Sequence, residues 1–374
     1  MAGLRAAGHD VRVLTTATRF PDRGPETEPA VHRELGWYWH DHAFPRLSPL
    51  ARLRLERANA ATFARHLREQ RPDVLFWWAM GGMSLGLVEQ GRRAGLPALA
   101  YVADDWPAYG PRTDAWLTLW RRVPAVRSVA GLPVGFDPRR GVRWVSVHDP
   151  RGLRHFISEF QRRRAPGVTD ATVAHPGVDP ARFPPVPAPA QWGGRLACVG
   201  RIDPRKGLEV ALDAVRTLPG ATLTVTGAGD AEHLDRLRER ASEAVRFAGH
   251  GDPAAAYAAA DAVLFPVTWD EPFGLVPLEA MSVGRPVVAT GTGGSTEYLR
   301  DGDNCLLVPP GDARALAAAV ARLAADPPLR ARLVAGGRET AARFTEAALD
   351  ERLVGEVQTL AAQAPAGRSV PPRR

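Results

Sequence analysis

The chain has 374 residues, 45% hydrophobic and 24% charged, with a formal net charge of +7. That composition fits an ordinary soluble globular protein long enough for two domains, and no run of about 18 apolar residues offers a spanning helix. No apolar stretch follows a basic start, so no secretory signal is read, and two isolated cysteines, Cys198 and Cys305, point to a reducing cytoplasm rather than a disulfide scaffold.

Lys206 is the one lysine among 48 basic side chains, the rest being arginine. Basic clusters at Arg121–Arg122, Arg139–Arg140 and Arg162–Arg163–Arg164 could attract nucleic acid, anionic lipid or a phosphorylated substrate, or be solvated faces enlarged by an arginine bias. They are scattered among loops and form no recognisable nucleic-acid module, so no nucleic-acid partner is expected.

In chain order, MAGLRAAGHDVRVLTT reads as the end of a helix, a glycine stop and a strand. A doubly wound domain begins one strand and one turn earlier, and that strand is central. Losing it would uncover a row of core side chains worth roughly 1.5–3 kcal/mol each. A start placed too far downstream is the expectation, the other reading being a damaged domain, and an in-frame stop just before Met1 would rule the first out. The segments VRVLTT, DVLFWW, PALAYVA, RWVSVH and ATVAHP then read as strands. Aromatics cluster in GWYWH, FWW and DAWLTLWRR. Trp116, Leu119, Trp120 and Val123 share a helical face beside Arg121 and Arg122, which either packs in the core or acceptor pocket or sits peripherally on a membrane and meets a lipid acceptor.

A Pro-rich stretch at 177–194 can continue neither a helix nor a central strand, so it reads as a linker. Beyond it strands alternate with helices: RLACVG, ATLTVTG, AVRFAG, AVLFP, PVVATG and CLLVP with LEVALDAVRTL, AEHLDRLRERA, PAAAYAAA and LVPLEAMSV. Short strands between amphipathic helices imply a parallel sheet covered on both faces. The predicted fold is α/β, two doubly wound Rossmann-like domains facing across a cleft at the carboxyl ends of their sheets.

Three segments carry chemistry. In GRIDPRKG, Gly200 ends a strand and Gly207 opens a helix, so Arg201 and Lys206 project from one loop beside a helix N-terminus, an arrangement that suits phosphate. In TGAGD, Gly227 lies in a strand-to-helix turn; position 232 is Glu, so the dinucleotide fingerprint is not supported, and a tight turn without a ligand is an equal reading. In DEPFGLVPLEAMSV, Glu271 lies in the loop before a helix and Glu279 on its second turn. The amides near Gly274 and Leu275 could hold an anion while the two carboxylates accept bonds from sugar hydroxyls, unless the pair is mere capping and surface charge. Glu279 sits in an apolar run, where an unpaired carboxylate is costly.

GRIDPRKG, TGAGD, VRFAGH and EPFGLVPLE, followed by GRPVVATGTGGSTEYLRDGDNCLLVPPGD, resemble in order and spacing the nucleotide-sugar domain of glycosyltransferase family 4, over roughly residues 150–345. The resemblance implies the GT-B architecture: an acceptor-side domain over 1–184 lacking its first strand, a nucleotide-sugar domain over 185–345, and a C-terminal helix with a disordered tail over 346–374. It implies retaining transfer of a sugar from a nucleotide-sugar to an acceptor hydroxyl of a glycan, lipid or small molecule, in the cytoplasm or at the inner membrane face. Arg201 and Lys206 would bind the donor diphosphate, and amides of Phe273, Gly274 and Leu275 would support it. Gly227 would face the donor, Glu279 would accept the ribose hydroxyls and Glu271 a hydroxyl of the transferred sugar. Arg246 and Phe247 would lie against the base.

No cofactor or metal is expected, the nucleotide-sugar being a co-substrate; Asp301 and Asp303 form a DxD pattern only in a late loop. ISEF (157–160) and HPGVDPARF (175–183) resemble the segments preceding the linker, with Pro176 at the family's usual asparagine. Ala103 occupies the position of a histidine common in the family, and Asp104 or Asp105 could take over acceptor positioning or simply cap a helix. The rival readings are an inactive or truncated nucleotide-sugar-binding protein and a sugar-nucleotide epimerase on the same fold. A phosphorylase would need pyridoxal phosphate on a lysine, and Lys206 has the spacing of the transferase pattern.

Overall fold

The structure is a computed structural model, and it describes residues 1–18, 28–37, 47–103, 106–120, 128–129, 132–133, 142–147, 171–189 and 191–363. Two compact units emerge, one of Met1–Ala174 with Asp350–Arg374 and one of His175–Leu349.

In the first unit the helix α1 (Ala2–Ala6) precedes β1 (Val13–Thr16) and β2 (Val31–Leu35), which pair in parallel. Then come α2 (Pro49–Gln70), β3 (Leu75–Trp78), α3 (Gly86–Arg93), β4 (Ala98–Val102), α4 (Trp106–Thr113) and α5 (Ala115–Trp120). A short antiparallel pair, β5 (Ser128–Val129) and β6 (Leu132–Pro133), leads to β7 (Arg143–Ser146) and β8 (Ala171–Val173). The strands β3-β4-β7-β8 form a parallel sheet separate from β1-β2.

Its core joins Phe63 of α2 to Leu75 and Trp77 of β3, with Ala98 and Ala100 of β4 buried beside them. Buried Asp114 caps α5 by accepting amides from Trp116 and Leu117 at 2.9 and 2.8 Å. Trp116 is fully buried and Leu119 packs on the same core, so this helical face turns inward; the side chain of Trp120 and residues 121–127 lie outside the described residues. Among the described residues no helix is long and apolar enough to cross a membrane.

The second unit carries β9 (Arg195–Val199), α6 (Leu208–Arg216), β10 (Thr222–Thr226), α7 (Ala231–Arg240), β11 (Val245–Gly249), α8 (Pro253–Ala259) and β12 (Ala262–Phe265). It continues with α9 (Leu275–Val283), β13 (Val287–Ala289), β14 (Leu306–Leu307), α10 (Ala313–Ala325), α11 (Pro327–Arg343) and α12 (Glu346–Gln363), the last crossing into the first unit at Asp350. Its six strands run parallel in the order β11-β10-β9-β12-β13-β14. Both faces are covered: Leu196, Cys198, Leu223 and Val225 point into one core, while Ala197, Val263 and Val287, of opposite phase or register, are as fully buried. That is why β12 and β13 read as unbroken apolar runs.

The Pro-rich stretch belongs to this unit. Val178 bridges Thr345, Val186 N donates to Val283 O at 3.0 Å and Ser282 Oγ to Phe183 O at 2.7 Å. The unit therefore begins at His175 rather than at residue 185, because a chain that cannot join a sheet can still pack by its carbonyls. From Asp350, α12 turns its buried Glu356 to Arg143 of β7 at 2.6 Å and to Thr172 of β8 at 3.2 Å.

Candidate functional site

β9 is the first strand of the second unit yet lies inside its sheet. β10 and β11 extend it to one side, β12, β13 and β14 to the other. Winding reverses between β9 and β12, and the loops leaving the carboxyl ends of such a pair open a crevice where α/β sheets bind ligands.

The loop after β9 is a wound turn. Asp203 caps the 3-10 turn Pro204–Lys206, accepting from Arg205 N at 3.0 Å and from the Arg205 guanidinium at 2.7 Å. The Arg205 bond, ahead of every other influence, holds the Asp203 carboxyl well below the usual carboxylate range. Arg201 is half-exposed, 3.4 Å from the same carboxylate. Gly207 then enters α6.

The loop after β12 is tied to it. Thr268 N donates to Arg205 O at 2.9 Å. Lys206 Nζ donates to Glu271 Oε2 at 2.7 Å, and Trp269 Nε1 donates to the same oxygen at 2.9 Å. The Trp269 ring lies 4.4 Å from the Arg205 guanidinium and 5.7 Å from Lys206 Nζ, within cation–π range. Lys206 and Glu271, 65 residues apart in sequence, thus form one half-buried pair at the mouth of the switch point.

Two helix starts face this crevice. Asp230, Asp252, Asp312 and Asp326 cap α7, α8, α10 and α11 with their carboxylates. The helices α6 and α9 begin instead at Gly207 and Gly274 with no side-chain cap. The first turn of α9 also lacks an acidic residue, so its positive dipole end is left for an anion. Gly274 has φ +85, a conformation that favours glycine. Its carbonyl accepts from the buried Tyr298 hydroxyl, and Phe273 packs 5.1 Å from that ring and 5.6 Å from Phe344. Leu275 is partly exposed at the lip.

The remaining site residues flank this centre. Gly227, at the end of β10, packs so closely on Gly200 O that any Cβ there would collide with it, so the turn reading has its own physical cause. Phe247 is half-buried against the sheet core, whereas Arg246 is exposed. Glu279 of α9 accepts from the Tyr257 hydroxyl at 2.6 Å. Burial pushes the Glu279 carboxyl above its ordinary range, against the pull of the Tyr257 bond. Asp104, Asp105 and the ISEF segment lie outside the described residues; Ala103, just after β4, is exposed.

Four contributors are not evident in the sequence. Trp269 orients Glu271, Tyr257 meets Glu279, and Tyr298 holds Gly274. His175 pairs with Glu297 at 2.7 Å and stacks 5.3 Å from Phe273. Trp269 adjoins DEPFG, and His175 and Tyr298 lie within segments that carry the family resemblance, but nothing in those segments names their partners; Tyr257 comes from a helix outside them. Cys198 and Cys305 are free and buried, their thiols pushed up to about 12 by burial, which leaves them unreactive.

The family profile described as "Glycosyl transferases group 1" matches residues 193–326. The "Glycogen synthase" of Mycobacterium tuberculosis is 37% identical over 185 residues, 46% of this chain and 44% of that protein. The chain therefore spans less than half the length of that relative. The "Lipopolysaccharide core biosynthesis glycosyltransferase LpsE" of Rhizobium meliloti is 28% identical over 334 residues, 85% of this chain and 86% of the relative. Among solved structures, Anabaena HepE in complex with UDP-glucose superposes with a TM-score of 0.63 at 20% identity, covering 85% of this chain and 86% of its own. That likeness gives the fold, GT-B, in agreement with the α/β reading of the sequence.

Proposed function

We propose that this chain, which carries a group 1 glycosyl transferase domain over residues 193–326, transfers a sugar from a nucleoside diphosphate donor to an acceptor hydroxyl with retention at the sugar carbon. One observation carries the reading: Arg201, the Lys206–Glu271 pair and the uncapped start of α9 converge at a single switch point. A diphosphate leaving group needs that convergence, because charge builds on it as the glycosidic C–O bond breaks. Fixed cations and a helix dipole meet that charge without reorganising.

In this reading Lys206 and Arg201 bind the diphosphate and the amides of Phe273, Gly274 and Leu275 support it. Glu271, held by Trp269, accepts a hydroxyl of the sugar; Glu279 accepts the ribose hydroxyls; Gly227 and Phe247 border the nucleoside. The departing phosphate takes the bonding electron pair, the acceptor oxygen forms the new bond at the same carbon, and the acceptor proton passes to the leaving phosphate. No protein nucleophile is used, and no divalent cation is needed at the phosphates. HepE's complex with UDP-glucose supports a nucleotide-sugar donor, and LpsE's name supports a glycan or lipid acceptor. The two unpaired thiols support a reducing compartment, the cytoplasm, with any membrane contact peripheral.

Thermal-shift screening against UDP-, GDP-, ADP- and dTDP-sugars, followed by transfer assays on the stabilising donor, tests this. We expect stabilisation by one donor class, an axial-to-axial or equatorial-to-equatorial product by NMR, and turnover indifferent to Mg²⁺ or Mn²⁺. Lys206→Arg should lower turnover about 100-fold, since a planar fork cannot replace a compact ammonium against Glu271 and phosphate. Near-normal turnover by that variant overturns the diphosphate role. A second reading, donor binding without transfer, draws on Ala103 at the histidine position, and stabilisation without product would favour it.

A further inference from the structure

We propose that His32, Glu34 and His66 of the first unit form a zinc site, independent of the donor reading above. His32 and Glu34 lie two residues apart on β2, so their side chains leave the same face of the strand. His66 comes from the last turns of α2, which packs on that strand. The His66 Nε2 atom is 3.3 Å from Glu34 Oε1, and His32 Nδ1 is 3.7 Å from the same oxygen. One ligand atom from each of the three residues lies within 4.8 Å of the others.

Those separations fit one cation. Ligands at zinc bond lengths in a tetrahedron stand about 3.4 Å apart; both contacts to Glu34 Oε1 are near that spacing already, and the two imidazole nitrogens, within 4.8 Å, close by up to about 1.4 Å to complete the set. Two imidazoles and a carboxylate with a fourth position open are a common zinc donor set, and nitrogen-rich sites disfavour Mg²⁺ and Ca²⁺. Arg65 holds the second oxygen of Glu34, fixing the carboxylate to offer one oxygen, which is the outer support such ligands require. His66 is buried, whereas Glu34 reaches solvent and gives an entry path. His32 Nε2, the ring's other nitrogen, is buried without a hydrogen-bond partner among the described residues.

The test uses the full chain, treated with chelator, dialysed and titrated with Zn²⁺ by calorimetry. We expect one Zn²⁺ per chain, with affinity at least tenfold weaker in His66→Gln and in Glu34→Gln and unchanged in His250→Asn, a histidine exposed in the second unit. Zn²⁺ should raise the melting temperature of the wild type and of His250→Asn but not of the two ligand variants. Glu34→Gln keeps the side-chain shape at a solvent-exposed position, so it carries the comparison if His66→Gln fails to fold. Absence of saturable binding, or equal affinity in all variants, overturns the site and leaves a hydrogen-bonded histidine–glutamate cluster.

Discussion

At the scale of single residues, Glu279 sets stability against function. Burial raises its carboxyl above the ordinary value, with Tyr257 opposing. A carboxyl whose folded pKa exceeds its unfolded one contributes stability below the unfolded value, near 4.5, and loses it as pH rises through the folded value. The ionised form is therefore the costly one, yet it is the form that accepts hydroxyls best. Glu279→Gln keeps an oxygen for Tyr257 and removes the charge. It should melt no lower than wild type at pH 7 and flatten the fall in stability between about pH 4.5 and neutrality. Donor affinity should drop roughly 10–150-fold, the worth of a charge-assisted hydrogen bond. Melting curves from pH 4 to 8 and donor Kd values check both halves; a variant less stable at pH 7 with an unchanged pH slope contradicts the account.

At the scale of elements, the start of α9 is held by groups the helix does not contain. Tyr298 donates to Gly274 O, while Phe273, Phe344 and His175 close a ring cluster beneath the turn. Tyr298→Phe keeps the packing and strips one buried donor. It should cost about 1–3 kcal/mol of stability and raise donor KM about tenfold, because the turn that aims the Gly274 and Leu275 amides loosens. A lower melting temperature with unchanged KM would make the cluster core packing alone.

This element also shows what sequence can carry. The central strands β9, β12 and β13 of the second unit were legible because both their faces are buried, and α9 because Gly274 and Gly284 bracket an apolar run. The Lys206–Glu271 bond was not legible: spacing gives the loop on which a side chain stands, and strand order decides which loops become neighbours. His175–Glu297, 122 residues apart, had no local signal.

At the scale of the molecule, each unit owns a hydrophobic core: one gathers Phe63, Trp77, Trp106 and Trp116, the other Leu196, Leu223, Leu264 and Leu316. Every residue proposed above to bind the donor lies in the second. A ligand that binds only the folded second unit stabilises that unit's unfolding equilibrium by mass action, about 2.7 kcal/mol at a hundredfold excess over Kd. For a unit of this size that converts to roughly 5–11 °C. Calorimetry of the full chain should therefore resolve two transitions, of which the nucleoside diphosphate moves one by that amount and leaves the other in place. Lys206→Arg should abolish the shift while both transitions of the free protein remain, the second unit's lowered by no more than a few °C because arginine keeps the charge that pairs with Glu271. Two transitions moving together would mean that the donor is read by residues of both cores, and the site would then have to be redrawn beyond the β9–β12 switch point.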